Sequence, residues 1–262
     1  MLGTWLQHIR RDPCPYMLFA VIDAEEITSV SPEIRISLQN MLSDARYDPA
    51  YLERMAQYLG WKNVQGIIAK GMPGSNSARR GEFAEALSNV VLEQSHGYVI
   101  PVRKLRFKIT SGQSLPATDT LALKLDANGK ISEVCYVESK LRSYLDTAAA
   151  LDGCGQLQND FNDYLPDMLT FISANLFERN HPLFHAFAMY MRDRTDTKDL
   201  DTFRLSLCWE HAEWNERVLI NLEDSGIALP SLTVHVIRVW KLIALTNELF
   251  NALGIVDVSD GD

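Results

Sequence analysis

A chain of 262 residues can bury a full hydrophobic core, so it does not need the disulfides or structural metals on which very small domains depend. Hydrophobic residues make up 47% of the chain and charged residues 23%, a composition that excludes disordered, collagen-like and low-complexity proteins. The formal net charge of −9, taken only as a sum, argues against a nucleic-acid partner.

The charge is distributed unevenly along the chain. Residues 61–150 contain 12 basic and 8 acidic residues, a net charge of +4, whereas residues 151–262 contain 8 and 18, a net charge of −10. The acidic C-terminal part suits either docking to a basic partner or simple solubility. Four cations of the basic part lie close together: Arg103, Lys104, Arg106 and Lys108.

The four cysteines are scattered without CxxC spacing, and the chain does not start with a cationic segment followed by an apolar signal core. The apolar run at residues 16–22 is about a third of the roughly 20 residues needed to cross a bilayer. We therefore expect a cytoplasmic protein with reduced thiols and no transmembrane segment.

The first 60 residues predict an α/β segment that packs on a larger domain over residues 61–262. Residues 16–22 have the apolar character of a buried strand. Proline at a first helical position predicts one helix from Pro32 to about Arg46 and another from Pro49 to about Leu59.

The central part of the chain predicts a loop, a helix and then extended segments. Residues 70–77, KGMPGSNS, concentrate loop-forming residues, and Ser77 is a suitable N-cap for a helix over residues 78–94. An extended basic stretch is predicted over residues 99–109, followed by a turn-rich segment.

Strands and helices alternate through the rest of the chain. Runs at 120–125 and 131–141 flank DANGK, and Asn-Gly between two such runs is a strong hairpin signal. This alternation predicts an α/β sandwich. The remaining predictions are helices over much of 143–192, strands at 203–209 and 232–239, and helices at 213–222 and 241–253.

The predicted hairpin brings charged residues together. A two-residue turn at Asn128 and Gly129 places Asp119 directly opposite Glu138, with Cβ atoms roughly 4.5 to 5.5 Å apart. Lys140 lies on the same face, because side chains two apart on a strand point the same way. The sequence thus predicts two carboxylates and an ammonium group at one place.

Two facing carboxylates repel unless a cation lies between them, which predicts a divalent metal at Asp119 and Glu138. Hard oxygen ligands suit Mg²⁺ or Mn²⁺ better than Zn²⁺, and no His/Cys cluster has zinc spacing. Phosphodiester hydrolysis is the natural use of such a site, with Lys140 orienting the attacking water or stabilising developing charge.

These residues resemble the PD-(D/E)XK nuclease superfamily. Asp119 heads one strand, Val137-Glu138-Ser139-Lys140 lies on the next, and a helix containing GEFAE precedes both; the signature proline is displaced to Pro116, three residues before Asp119. The run from RRGEFAEAL to CYVESK, about residues 79–142, is similar to the DUF1837 family, whose HamA members are nuclease subunits of the Hachiman antiphage system.

The resemblance implies an α/β protein with a PD-(D/E)XK-like nuclease core, a mixed sheet flanked by helices, with additional N-terminal and C-terminal α/β elements. It also implies a Mg²⁺- or Mn²⁺-dependent bacterial effector that degrades DNA. A superfamily 2 helicase, HamB-like, is the implied partner in a heteromeric complex and holds the nuclease until it is released.

Two acids compete for the remaining position in the site. On a helical wheel, Glu82 lies at the edge of the apolar stripe that includes Phe83, whereas Glu85 lies on the far side. The wheel therefore favours Glu82, but the habit of related GExxE-like helices favours Glu85. Either could instead be a solvated acid near a helix N-terminus.

The basic stretch has two interpretations. As a strand it shows cations on both faces, and Arg103, Lys104, Arg106 and Lys108 then either contact DNA phosphates or guard a solvated edge. The position of the stretch beside the nuclease motif favours phosphate contact, and Arg79 and Arg80 are expected to join that surface.

The sequence as a whole predicts an endonuclease. The alternative is a catalytically weak regulatory subunit that mainly binds a helicase.

Overall fold

The computed structural model describes residues 5–26, 30–108, 117–194, 198–227 and 229–254. Within them the chain forms a six-stranded mixed sheet with helices on both faces, which confirms the predicted α/β class. The strands are β1 (Leu6–Arg10), β2 (Ala20–Glu26), β3 (Thr120–Leu125), β4 (Ile131–Arg142), β5 (Asp201–Glu210) and β6 (Leu232–Val239).

The sheet has the order β1-β2-β6-β5-β4-β3. Its four inner strands, β2, β6, β5 and β4, are parallel, and the two edge strands β1 and β3 pair antiparallel with their neighbours. Inner strands are covered on both faces and are therefore rich in apolar residues. Strands β1 and β2, from the first 60 residues, join the same sheet as the later strands.

The helices of the described part begin at recognisable caps. Ser31 and Ser75 each accept a backbone N–H with their side-chain oxygen, and Asp48 does so before the helix that starts at Pro49. The α-helices are α1 (Pro32–Arg46), α2 (Pro49–Leu59), α3 (Trp61–Gly71), α4 (Asn76–His96), α5 (Ala149–Asp163), α6 (Leu165–Glu178), α7 (Phe184–Arg192), α8 (Arg217–Asp224) and α9 (Leu242–Gly254). Short 3-10 helices lie at Lys104–Phe107, Lys198–Leu200 and His211–Glu213.

Two hydrophobic layers hold the helices against the sheet. On one face α5, α6, α7 and α8 pack on the central strands, around buried Tyr136, Phe187 and Trp209. On the other face α1, α4 and α9 form a second layer, around buried Leu38, Phe83 and Phe250. Strand β4 is therefore enclosed by α5 on one side and α4 on the other.

Most predicted elements are present, with some errors near the start of the chain. The strand predicted at 16–22 is instead β2, beginning at Ala20, and β1 and α3 were not predicted. Helix α4 starts at Asn76 with Ser75 as its cap, so the predicted cap at Ser77 is wrong. Pro116 and the tail after Gly254 lie outside the described residues.

The turn of the β3–β4 hairpin differs from the prediction in two ways that cancel. Asp126 pairs with Lys130 across three loop residues rather than two, with Gly129 in the left-handed region at φ 75°. One extra residue, Ser132, then forms a β-bulge, because Leu125 pairs with Ile131 but Lys124 pairs with Glu133. Beyond the bulge the register equals the predicted one.

Two features bear on the environment of the protein. In the part of the chain that the structure describes, no helix has both the length and the apolar character needed to span a membrane. The four cysteines are all free thiols; Cys135, Cys154 and Cys208 are buried, and Cys14 is partly exposed.

Gly153 allows α5 to pack closely on the sheet. A Cβ atom at this position would lie 2.5 Å from Cδ1 of buried Leu205 and 3.5 Å from Cε of Lys140, whereas Gly155 on the same helix has nothing within 4 Å. We predict that Gly153→Ala destabilises the protein, since overpacking costs about 1–3 kcal/mol, more than the roughly 1 kcal/mol gained in helix propensity. Gly155→Ala, the matched control, has only the propensity gain and is expected to stabilise.

Urea unfolding of both variants measures this difference. A Gly153→Ala protein as stable as Gly155→Ala would show that the Leu205 side chain or α5 can move without cost.

Candidate active site

Asp119 and Glu138 lie at the open end of the β3–β4 hairpin. Thr120, the first residue of β3, pairs with Val137, so the next position outward brings Asp119 beside Glu138. Oδ2 of Asp119 accepts a hydrogen bond of 2.8 Å from the backbone N–H of Ser139. This bond fixes the Asp119 carboxylate against β4, next to Glu138.

Lys140 lies on β4, two residues after Glu138, and completes the group. Its Nζ donates one hydrogen bond of 2.7 Å to Oε1 of Glu138 and another of 2.7 Å to Oε1 of Gln156, which comes from α5. Lys140 is thus held on both sides, by its own strand and by the helix that covers it.

The structure distinguishes Glu85 from Glu82 by their partners. Oε1 of Glu82 lies 2.6 Å from Nη1 of Arg46 and 3.8 Å from Nζ of Lys108. Each acid has one buried oxygen without a hydrogen-bond partner, Oε2 of Glu82 and Oε1 of Glu85, but the charge of Asp119 contributes to the raised pKa of Glu85. Glu85 is therefore the acid of α4 that shares an environment with the hairpin carboxylates.

The helical-wheel argument, which favours Glu82, does not apply because α4 has no solvent face in this region. Every residue from 82 to 92 of α4 is buried, between the sheet on one side and α1 and α9 on the other. A helix that is buried all round does not place its acids by amphipathicity.

Burial raises the pKa of each carboxyl in the cluster, and repulsion adds to this effect for Glu85 and Glu138. The pKa of Glu138 rises to about 8, first through burial and then through the charge of Asp119. Burial raises the pKa of Asp119, and the Ser139 N–H and nearby lysines counteract it in part. The pKa of Glu85 is raised well above its ordinary value, again first by burial. Such perturbed groups gather at functional sites.

Asp160 and Gln156 belong to this environment, although neither was predicted. Both lie on α5, four residues apart and therefore on one face, and Asp160 is only 9% exposed. The charge of Asp160 helps to raise the pKa of Glu138, and burial raises the pKa of Asp160 itself. The i, i+4 spacing is visible in the sequence, but only the packing of α5 over β4 shows where that face points.

The carboxylates offer the oxygen ligands that a hard divalent cation prefers, but among the described residues no three of them have oxygens within 4.8 Å of one another. Oε1 of Glu85, Oε2 of Glu138 and Oδ2 of Asp160 are all buried without a hydrogen-bond partner. Unpartnered buried carboxylate oxygens are costly, and Mg²⁺ or Mn²⁺ would satisfy them with its preferred ligand type.

The prediction that the basic stretch forms a strand is wrong. Residues 104–107 form a 3-10 helix, in which Lys104 and Leu105 are both buried. Nζ of Lys104 donates to the carbonyl oxygens of Ala117 and Thr118, at 2.9 and 2.7 Å, just before Asp119. Lys104 is therefore part of the acidic cluster and not a surface cation.

The other predicted DNA contacts divide into two sets. Arg103 is paired with Glu93 at 2.7 Å, and Arg79 donates to Asn251 and to the carbonyl of Pro73. Arg80 is partly exposed on α4 and lies outside the cavity beside the acidic cluster. The second set, Arg106 and Lys108, contributes to the lining of that cavity.

A basic cleft opens beside the acidic cluster. It has a volume of about 1140 Å³ and is lined by five cations from four segments of the chain. Lys108 connects it to the site, because its charge also acts on Glu85 and Asp119. Besides Asp48, the charged and aromatic lining residues are Arg46, Arg54, Arg106, Lys108, Arg179, His181, Tyr47 and Tyr51.

The fold and site together define an α/β protein with a buried carboxylate and lysine cluster at one end of a mixed sheet. The model of the HamA family matches residues 16–252, so the chain belongs to the HamA family, as the resemblance indicated. Family membership indicates a component of the Hachiman defence system. No curated protein matches the sequence.

The raised pKa of Glu138 makes the stability of the metal-free protein depend on pH. Between the ordinary value of 4.5 and about 8 the folded state holds a proton that the unfolded state has lost. The free energy of unfolding therefore falls as pH rises through this range. We predict that Glu138→Gln weakens this fall and raises the melting temperature at pH 8 by at least about 2 °C.

Glu133→Gln, on the same hairpin, is the control, and its melting temperature is expected to change in the opposite direction. Burial opposes ionisation of Glu133, but hydrogen bonds from Tyr98, Lys124 and Thr202 outweigh it and lower its pKa. Its carboxylate therefore stabilises the fold at pH 8, and its loss lowers the melting temperature. A destabilised Glu138→Gln protein at pH 8 in EDTA would refute the description of Glu138 as a strained acid.

Proposed function

We propose that this chain is a metal-dependent DNA endonuclease, the effector subunit of an antiphage complex, in which a partner helicase controls access to DNA. The observation that carries this proposal is the shared buried environment of Asp119, Glu138, Lys140 and Glu85. The combination supports phosphodiester hydrolysis because acids that hold a divalent cation and a lysine beside them are what this chemistry requires.

Each residue of the cluster has a separate task. Asp119 and Glu138 would hold a Mg²⁺ or Mn²⁺ ion, with Glu85 of α4 as a further ligand. Such an ion would supply charge to polarise the phosphodiester and to lower the pKa of a water molecule. Lys140, kept in place by Gln156, orients the attacking water and stabilises the negative charge that develops on the phosphate.

The basic cleft supports nucleic acid as the substrate. Its cations neutralise backbone phosphates without reading bases, so cutting with little sequence preference is expected. Tyr47 and Tyr51 line the same cleft, where an aromatic ring could stack on an unpaired base. The chain as a whole has a net charge of −9, which favours delivery of DNA by a partner.

Lys140→Ala tests the nuclease function directly. We expect it to slow plasmid degradation in the presence of Mg²⁺ by at least about 100-fold, since it removes the charge beside the reacting phosphate. Glu138→Gln, which keeps an acceptor for Lys140, should lose activity as well. The isolated chain and its complex with a helicase partner should both be assayed.

Lys124→Ala is the matched control for Lys140→Ala. Lys124 lies on the other strand of the hairpin and pairs with Glu133, away from the cluster, so its loss should leave cleavage nearly unchanged. Equal plasmid loss with wild type, Lys140→Ala and Glu138→Gln would show that the cluster is not catalytic and would favour a regulatory subunit that mainly binds a helicase.

Arg54 and Arg179 provide a test of the cleft. Both line it and both are exposed. Replacing either with Ala should weaken binding to a labelled oligonucleotide without Mg²⁺ and reduce the salt dependence by about one counterion. Arg192→Ala, exposed on α7 outside the cleft, should not change binding. Unchanged binding in Arg54→Ala and Arg179→Ala would place the DNA elsewhere.

A further inference from the structure

Three histidines from distant parts of the chain meet on the α4 face of the sheet. His8 is in β1, His96 is the last residue of α4, and His235 is in β6. One ring nitrogen from each lies within 4.8 Å of the other two. The ring centroids are separated by 6.0, 5.4 and 5.3 Å, a nearly regular triangle.

Two of the three nitrogen atoms have the spacing of neighbouring metal ligands. Nδ1 of His8 and Nε2 of His235 are 3.3 Å apart, a distance at which the two rings share a hydrogen bond in the absence of an ion. In a tetrahedral site with metal–nitrogen bonds of about 2.0–2.1 Å, neighbouring nitrogens are separated by about 3.3 Å. The second ring nitrogen of His8 lies 3.3 Å from Oγ of Ser95, which can fix the orientation of that ring.

An unsatisfied nitrogen points independently to a missing ligand. Nε2 of His96 is buried and has no hydrogen-bond partner, and His235 is only 1% exposed. A buried polar atom without a partner costs free energy, which a coordinated ion would recover.

We propose that His8, His96 and His235 bind a first-row transition metal ion, of which Zn²⁺ and Co²⁺ are suitable examples. Imidazole nitrogen favours these ions over Mg²⁺, so this site and the carboxylate cluster select different metals. Three protein ligands leave one tetrahedral position for water or a small anion.

The surroundings keep the three rings in the form that binds metal. Burial lowers the pKa of His8, lowers the pKa of His96 to about 4, and lowers the pKa of His235 well below its ordinary value. All three are therefore neutral at pH 7, with nitrogen lone pairs available.

Two cations act on the same rings. The positive charge of Arg204 contributes to the low pKa of His96 and His235, and that of Lys124 to the low pKa of His96. These charges oppose a bound dication, so the site requires an ion with strong affinity for imidazole. Arg204 has buried Nε and Nη1 atoms without partners, and an anion at the fourth position of the metal would offset its charge.

The ion would connect β1 and β6 to the C-terminal end of α4. Helix α4 also contains Glu85, eleven residues or about 16 Å before His96 along the helix axis. Metal binding would therefore fix the helix that supplies one acid of the carboxylate cluster, and the expected effect is a gain in thermal stability.

Titration of the tag-free full-length protein with Co²⁺ in excess Mg²⁺ tests the site, because tetrahedral Co²⁺ absorbs in the visible range. One equivalent should bind to the wild type, and His8→Gln and His96→Gln should each bind at least about tenfold more weakly. Both residues are partly exposed, so these variants are expected to fold. His185→Gln, exposed on α7, and Glu138→Gln, in the carboxylate cluster, should bind Co²⁺ as the wild type does.

Thermal unfolding with Zn²⁺ gives a second measurement. Zn²⁺ should raise the melting temperature of the wild type and of His185→Gln but not that of His96→Gln. A wild-type protein that binds no Co²⁺, or a folded His96→Gln variant that binds it equally well, would overturn the proposal. Loss of Co²⁺ binding in Glu138→Gln alone would assign the ion to the carboxylate cluster.

Discussion

Glu85 in α4, Asp119 just before β3 and Glu138 in β4 lie in one buried region. Burial raises the pKa of each carboxyl there, and repulsion raises the pKa of Glu85 and Glu138 further. The fold has to hold these groups together against their own charge. Strand β4 does so because it is paired on both edges and covered on both faces. Lysines and one backbone N–H compensate only part of the charge, which leaves the cluster suited to a cation.

Both helical layers contribute to this region, and each does so from its own face of the sheet. Helix α4 supplies Glu85, whereas α5 supplies Gln156 and Asp160 from the opposite face. The close approach at Gly153 keeps α5 near enough for Gln156 to hold Lys140. The site therefore lies where the two layers meet around the free end of an edge strand, beside the basic cleft.

Local patterns in the sequence predicted local structure well. Proline predicted the start of α1 and α2, and the alternation of apolar residues predicted β3, β4 and β6. The bounds of these elements depend on residues that are close in the sequence. Features set by distant contacts were missed. Lys104 is drawn inward by carbonyl groups near Asp119, and Arg103 is held by Glu93, so neither is a surface cation. The histidine cluster joins residues 88 and 139 positions apart, beyond the reach of any spacing rule.

The three-residue turn and the bulge at Ser132 together limit how the hairpin can change length. Loop tips usually tolerate insertions and deletions because few contacts depend on them. Here each shift of one residue in β4 would turn Glu138 and Lys140 to the other face of the sheet, since side chains alternate along a strand. A change in the length of the hairpin is therefore compatible with the carboxylate cluster only where the loop or the bulge absorbs it without moving β4 along β3 and β5.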